Sequence, residues 1–225
     1  MTDVDLGASY RTVRKRLTDL ATTLSEEELE AMVPGCPKWR VRDVLAHLTG
    51  ATADFLARNF EGAPGPAWTG RHVDNRRDQS VPEILDEWGR IAPAAEAELT
   101  ELAHLPQAVA DVVTHEQDIR GAVGRPGYRD DEIVTWLAGF SVSNLGKKLT
   151  GAGLPALRVR TESGDRILGE GEPGVTLDTI DFELIRAVFG RRSRPQLDAM
   201  AWAGDPGPYL EHLCIFPPSE RDVIE

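Results

Sequence analysis

Over the first two-thirds of the chain, apolar residues recur every three or four positions, the period of a helix with one buried face. The stretch "ASYRTVRKRLTDLATTL" (8–24) predicts a first helix. A second, over 40–60, sets Val41, Val44, Leu45, Leu48 and Phe55 on one stripe. A third spans 80–102, with Ser80 as N-cap, Pro82 in the first turn and a bend at Pro93. A fourth opens at Pro106 and runs to Val123, where "GRPG" (124–127) stops it. A fifth covers 130–149 and ends at "GAG". Gly/Pro density predicts loops at "PGCPKW" (34–39) and "EGAPGPAWTGRH" (61–72).

At 154 the period changes. "ALRVRT" (156–161), "DRILGE" (165–170) and "VTLD" (175–178) alternate as strands do, with turns at "SGD" and "GEPG". Helical patterning returns over 181–190 and 208–216. The expected fold class is α plus α+β. Residues 1–153 form an up-down helical bundle of four main helices plus one, and residues 154–225 a small α+β domain. No internal repeat or low-complexity tract interrupts this.

Composition narrows the partners. Of 225 residues, 41% are hydrophobic and 28% charged, ordinary for a globular chain and enough for a substantial core. Lys plus Arg is 25 against 37 Asp plus Glu, a net charge of −12 that repels phosphate backbones and anionic membranes. The one basic cluster, "GRRSR" (190–194), is short, so nucleic acid is not an expected partner. Two distant cysteines, Cys36 and Cys214, make neither a disulfide framework nor a zinc ribbon. The acidic N-terminus lacks a signal pattern, and no apolar run reaches the roughly 18–20 residues of a membrane helix. A cytoplasmic protein with free thiols is expected, as a monomer or weak homodimer.

The candidate chemistry lies in "DVVTHEQDIR" (111–120) and "VRDVLAHLTG" (41–50). Residues four apart on a helix are neighbours, so Asp111 and His115 can offer an oxygen and a nitrogen to one point. His115 is on an apolar stripe, and His47 borders the stripe of a second helix. Two histidines and a carboxylate form a catalytic zinc set with a fourth position open, and suit iron or nickel as well. The spacing alone also fits a hydrogen-bonded core histidine and an aspartate that complements its helix dipole.

"CPKWRVRDVLAHLTG" (36–50) resembles the first signature of the mycothiol-dependent maleylpyruvate isomerase family, a Cys-Pro-x-Trp loop before an Asp-Val/Leu-x-x-His-Leu helix. "DVVTHEQDIRGAVGRP" (111–126) resembles the second, a carboxylate three residues before His, then Asp-Ile-Arg and a Gly-x-Pro stop. "GDRILGEGEP" and "FGRRS" are similar to the family's C-terminal unit, which is sterol-carrier-protein-like. The resemblance implies a DinB-like bundle binding a divalent metal, usually zinc, through His47, Asp111 and His115. It implies mycothiol as cosubstrate, held at the metal as a thiolate. The family's carboxylate is Glu, where this chain has the shorter Asp111. Arg191 is the implied candidate for an anionic substrate.

Beside these, Asp118 is placed either as an acceptor behind a ligand or in a structural ion pair. Cys36 is expected to pack at a helix start and Trp39 to cover the bundle end. His72, His104 and His212 receive no site role. The expected function is a metal-dependent, mycothiol-using S-transferase or isomerase acting on a small electrophile. The alternatives are maleylpyruvate cis-trans isomerisation and a non-catalytic metal- or ligand-binding bundle.

Overall fold

The computed structural model describes residues 4–101 and 105–225. The chain falls into two compact units, one ending at Pro126 and one running from Gly127 to Ile224.

The N-terminal unit contains α1 (Leu6–Ala21), α2 (Glu26–Leu29), β1 (Met32–Val33), β2 (Cys36–Arg40), α3 (Val41–Ala57), α4 (Pro66–Asp74), α5 (Val81–Glu101) and α6 (Gln107–Ala122). The starts are chemically marked. Asp5 accepts from Ala8 N at 2.9 Å to cap α1. Before α5, the Ser80 backbone N–H donates to Glu83 at 2.7 Å, while the Glu83 N–H turns back to Ser80 Oγ at 3.4 Å. The four long helices α1, α3, α5 and α6 make the bundle, and Leu17, Leu45, Leu48, Ile84, Trp88, Leu99 and Ile119 are fully buried. A polar knot ties three of these helices. Trp88 Nε1 donates to Tyr10 Oη at 3.1 Å and Thr52 Oγ1 at 3.0 Å, and those two oxygens are 2.7 Å apart. Burial pushes the Tyr10 phenol up to about 12, so it stays a neutral donor.

Helix α6 is the most enclosed of the four. His115, Glu116, Gln117, Asp118 and Arg120 are all buried on it, beside Val112, Val113 and Ile119. A polar side chain is stable in such a place only with partners.

Two predicted loops are structured. Cys36–Arg40 forms β2, paired antiparallel with β1, Met32 opposite Arg40 and Val33 opposite Cys36. Over 61–72 only the first residues are a turn, because α4 starts at Pro66. Proline is tolerated in a first helical turn, where its missing N–H has no acceptor anyway. The same proline that suggests a loop therefore starts a helix, which buries Trp68 and His72 one turn apart.

The C-terminal unit contains α7 (Glu132–Ser141), α8 (Leu145–Gly151), β3 (Ala156–Thr161), β4 (Gly164–Leu168), β5 (Pro173–Asp178), α9 (Asp181–Val188), α10 (Arg194–Asp198), β6 (Ala201–Ala203) and α11 (Gly207–Leu213). The sheet order is β4-β3-β5-β6, with β3 antiparallel to β4, parallel to β5, and β5 antiparallel to β6. Leu157, Val159, Val175 and Leu177 alternate onto the buried face. The single helix predicted over 130–149 is two helices, broken at 142–144. Ser143 and Asn144 sit at the break, residues whose side chains compete for backbone bonds and favour turns. The short α2, α10 and β6 have too few residues for a periodic signal.

The compact units part at 126/127, ahead of the 153/154 boundary expected from patterning. Residues 132–151 are helical as predicted, but α7 packs on α9 and α8 on β3 and β4. Periodicity reports a helix, not the partner its apolar face finds. Among the described residues, no helix is long and apolar enough to cross a membrane.

Candidate metal centre

Helices α3 and α6 bring His47, Asp111 and His115 together, with one ligand atom from each within 4.8 Å of the others. His47 Nε2 is 3.5 Å from Asp111 Oδ2, and His115 Nε2 is 3.5 Å from Asp111 Oδ1. A tetrahedral ion with bonds of about 2.1 Å puts its ligand atoms about 3.4 Å apart. The three side chains therefore fit one small cation without large rearrangement. His47 and His115 are 3% and 6% exposed, whereas Asp111 is 36% exposed, so the cluster opens on the Asp111 side.

Both imidazoles are held from behind. His115 Nδ1 donates to Asp118 Oδ2 at 2.9 Å. A carboxylate only accepts, so this bond keeps a proton on Nδ1 and presents Nε2 to Asp111. The Cys36 thiol, half-buried at the start of β2, donates to the same oxygen at 3.4 Å and lies 3.9 Å from His115 Nδ1. Burial opposes the charged form of His115. The Asp118 bond, the Cys36 contact and the Asp111 charge outweigh it and push the metal-free imidazole up to about 10.

Behind His47 stands a second histidine. His47 Nδ1 is 3.1 Å from His72 Nδ1, and His72 Nε2 is 3.0 Å from Asp54 Oδ2. His72 is 3% exposed, and burial pulls its pKa down against the pull of Asp54. The contact depends on Gly50, one turn after His47, where a Cβ would lie 2.5 Å from His72 Cβ. Glycine inside a helix costs about 1 kcal/mol relative to alanine, and here it admits α4 against α3. Arg76 anchors that end of α4, its Nε donating to Glu87 at 2.9 Å and its Nη1 to the His72 carbonyl at 3.2 Å. The Trp39 ring lies 4.9 Å from His47 and 6.2 Å from His115, and Trp68 lies 4.3 Å from His72.

Residues 10–117 match the family described as mycothiol maleylpyruvate isomerase N-terminal domain. The match runs over the bundle, from α1 to the turn of α6 that carries His115. Two solved structures share the fold. A crystal structure of the mycothiol-dependent maleylpyruvate isomerase aligns at TM-score 0.52 and 12% identity, over 83% of this chain and 88% of that one. A histidine-to-alanine mutant of that enzyme aligns at TM-score 0.52 and 11% identity, over the same shares. No curated protein matches the chain in sequence.

The structure brings His47, Asp111 and His115 together; Arg191 belongs to the C-terminal unit, where its Nη1 donates to the Phe189 carbonyl at 2.8 Å. Asp118 stands behind His115, and the one 2.9 Å contact is both a hydrogen bond and, with the imidazole protonated, an ion pair. Trp39 lies against the two imidazoles, His47 and His115. Sequence reasoning missed Asp54, His72 and the placement of Cys36. The signals were faint: Asp54 is two helical turns beyond His47, and His72 is one turn beyond Trp68 in a helix with proline at its start. His212 lies in the last turn of α11 in the C-terminal unit, and His104 lies outside the described residues.

A second grouping, Cys36, His115 and Asp118, also lies within ligand distance. It would need His115 to give up its Nδ1 proton, while both Nε2 atoms already converge on Asp111. The geometry favours the first group.

Proposed function

We propose that this protein is a metal-dependent, mycothiol-using enzyme that joins a thiol sulfur to a small electrophile. The observation that carries the reading is the convergence of His47 Nε2 and His115 Nε2 on Asp111 in a domain of this family. A divalent metal on these three residues would supply the positive charge beside which a thiol gives up its proton at neutral pH. The protein's part is to hold the Nδ1 side of each imidazole, His115 against Asp118 and His47 against His72, so that Nε2 is the nitrogen turned toward Asp111. Trp39 shields the imidazoles from water, and the half-exposed Asp111 marks the side from which thiol and electrophile arrive. Zinc suits the two-histidine, one-carboxylate set, and nickel or iron share the ligand preference.

The first reaction is S-transfer, in which the thiolate sulfur bonds to carbon and a leaving group departs with its electron pair. The second is cis-trans isomerisation, in which sulfur adds to a conjugated double bond, the new single bond rotates, and elimination returns the thiol. The name carried by the fold neighbours, maleylpyruvate isomerase, favours keeping the second. Arg191 is the candidate for an anionic group of the substrate, and Arg191→Ala should raise KM for an anionic electrophile without changing metal content.

Elemental analysis with a turnover assay tests the reading. Stoichiometric metal is expected in the wild type, with mycothiol-dependent consumption of an electrophile that is lost in His115→Ala. A protein without bound metal sinks the proposal. Metal without turnover across a broad electrophile panel indicates a binding bundle instead.

A further inference from the structure

We infer that His72, with Asp54 behind it, is a positioning residue: it accepts the Nδ1 proton of His47 and so keeps His47 Nε2 bare and aimed at Asp111. This rests on the metal reading of His47, Asp111 and His115. A neutral imidazole carries one proton, and the partner of one nitrogen decides which bears it. His72 Nε2 lies 3.0 Å from a carboxylate oxygen of Asp54, which can only accept, so His72 donates there. Its Nδ1 then has a lone pair and no proton. The 3.1 Å contact with His47 Nδ1 is a hydrogen bond only if His47 carries its proton on that nitrogen. The remaining lone pair of His47 is on Nε2, 3.5 Å from Asp111. With the His47 proton on Nε2 instead, two bare nitrogens would face each other in a buried place.

The local packing is built for this contact. A side chain at position 50 would collide with His72, since a Cβ there lies 2.5 Å from His72 Cβ. Trp68 closes the other side of the His72 ring at 4.3 Å. His72 also lies in α4, within the Gly/Pro-rich segment between α3 and α5, so the centre draws on three helices rather than the two that carry its ligands.

Two readouts test it. Nitrogen-15 NMR of labelled histidines in the metal-free protein reports which nitrogen of His47 carries the proton. Cobalt titration, followed by visible absorption, reports affinity and ligand geometry. In the wild type His47 should be protonated on Nδ1. His72→Phe, which keeps a ring but removes the acceptor, should move that proton toward Nε2 and weaken Co²⁺ binding by about 10–100-fold. His72→Asn, with an oxygen near the position of the lost Nδ1, should restore most of both. Should the Phe variant not fold, Asp54→Leu replaces it, since it removes the acceptor that makes His72 donate through Nε2, and the same shift is expected. An unchanged His47 proton position, or unchanged Co²⁺ affinity and spectrum, overturns the inference. A wild-type protein that binds no Co²⁺ overturns the metal reading, and the proton position of His47, read without metal, decides the role of His72 separately.

Discussion

The two arms of the centre hold a histidine each, by different physics. On α6, Asp111, His115 and Asp118 follow one another at helical spacing, so two candidate ligands and the acceptor behind one of them come from one rigid element. The backing group is a buried carboxylate, and His115 is correspondingly basic, at about 10 without metal. On the other arm, His47 is backed by an imidazole from α4, and the carboxylate stands one residue further out, at Asp54. A proton and a metal compete for the same Nε2 lone pair. At His115 the proton competes hard. An acceptor that makes an imidazole more electron-rich also makes it hold a proton more tightly, and the two arms carry different acceptors, a carboxylate and an imidazole.

The largest expected effect separates the arms by ligand removal. His115→Ala and His47→Ala should each abolish stoichiometric metal binding. Their metal-free stabilities should differ. Removing His115 takes the imidazole from the almost fully buried Asp118, and breaking a buried charged pair costs roughly 3–5 kcal/mol. Removing His47 deprives a neutral His72 of one hydrogen bond, at roughly 1–3 kcal/mol. Denaturant melts of the metal-free variants measure this, and equal losses would break the comparison.

A smaller effect is in pH. The folded-state pKa of His115 lies above its ordinary value of 6.5, so its charge stabilises the metal-free fold fully below pH 6.5 and less as pH rises through about 10. Metal uptake runs the other way, because it displaces that proton. Apparent affinity should rise about tenfold per pH unit between 6.5 and 10, as for release of one proton. Asp118→Asn removes the charge while keeping an acceptor, and should move both dependences to lower pH. Competition against a chelator across that range is the measurement. A flat profile would mean that the arms do not differ as described.

The difference between the arms also explains what the sequence makes legible. Asp111 and His115 are four apart on one helix, so their meeting follows from helix geometry alone. His47 enters through its stripe position and the resemblance of its motif. The His72 arm depends on where a Pro-started helix docks, which depends on the missing side chain of Gly50, and no local period encodes that contact. The same logic governs the fold. The strands over 156–161 and 175–178 declare themselves by alternation, whereas the assignment of α7 and α8 to the C-terminal unit depends on which apolar face they meet.

The smallest effect concerns Cys36, and it decides between the two ligand groupings. Its thiol shares Asp118 Oδ2 with His115 and raises the imidazole pKa. If the ion sits on His47, Asp111 and His115, Cys36→Ala removes one modest hydrogen bond from behind a ligand. Such a bond is worth about 1 kcal/mol, so the pH profile of metal uptake should move down by less than about one unit, with stoichiometry unchanged. If the ion sat instead on Cys36, His115 and Asp118, the same substitution would delete a ligand and metal content would collapse. Elemental analysis of Cys36→Ala beside Asp111→Ala separates the two. Retention in the first and loss in the second places the ion between α3 and α6, on the Nε2 edges that face Asp111.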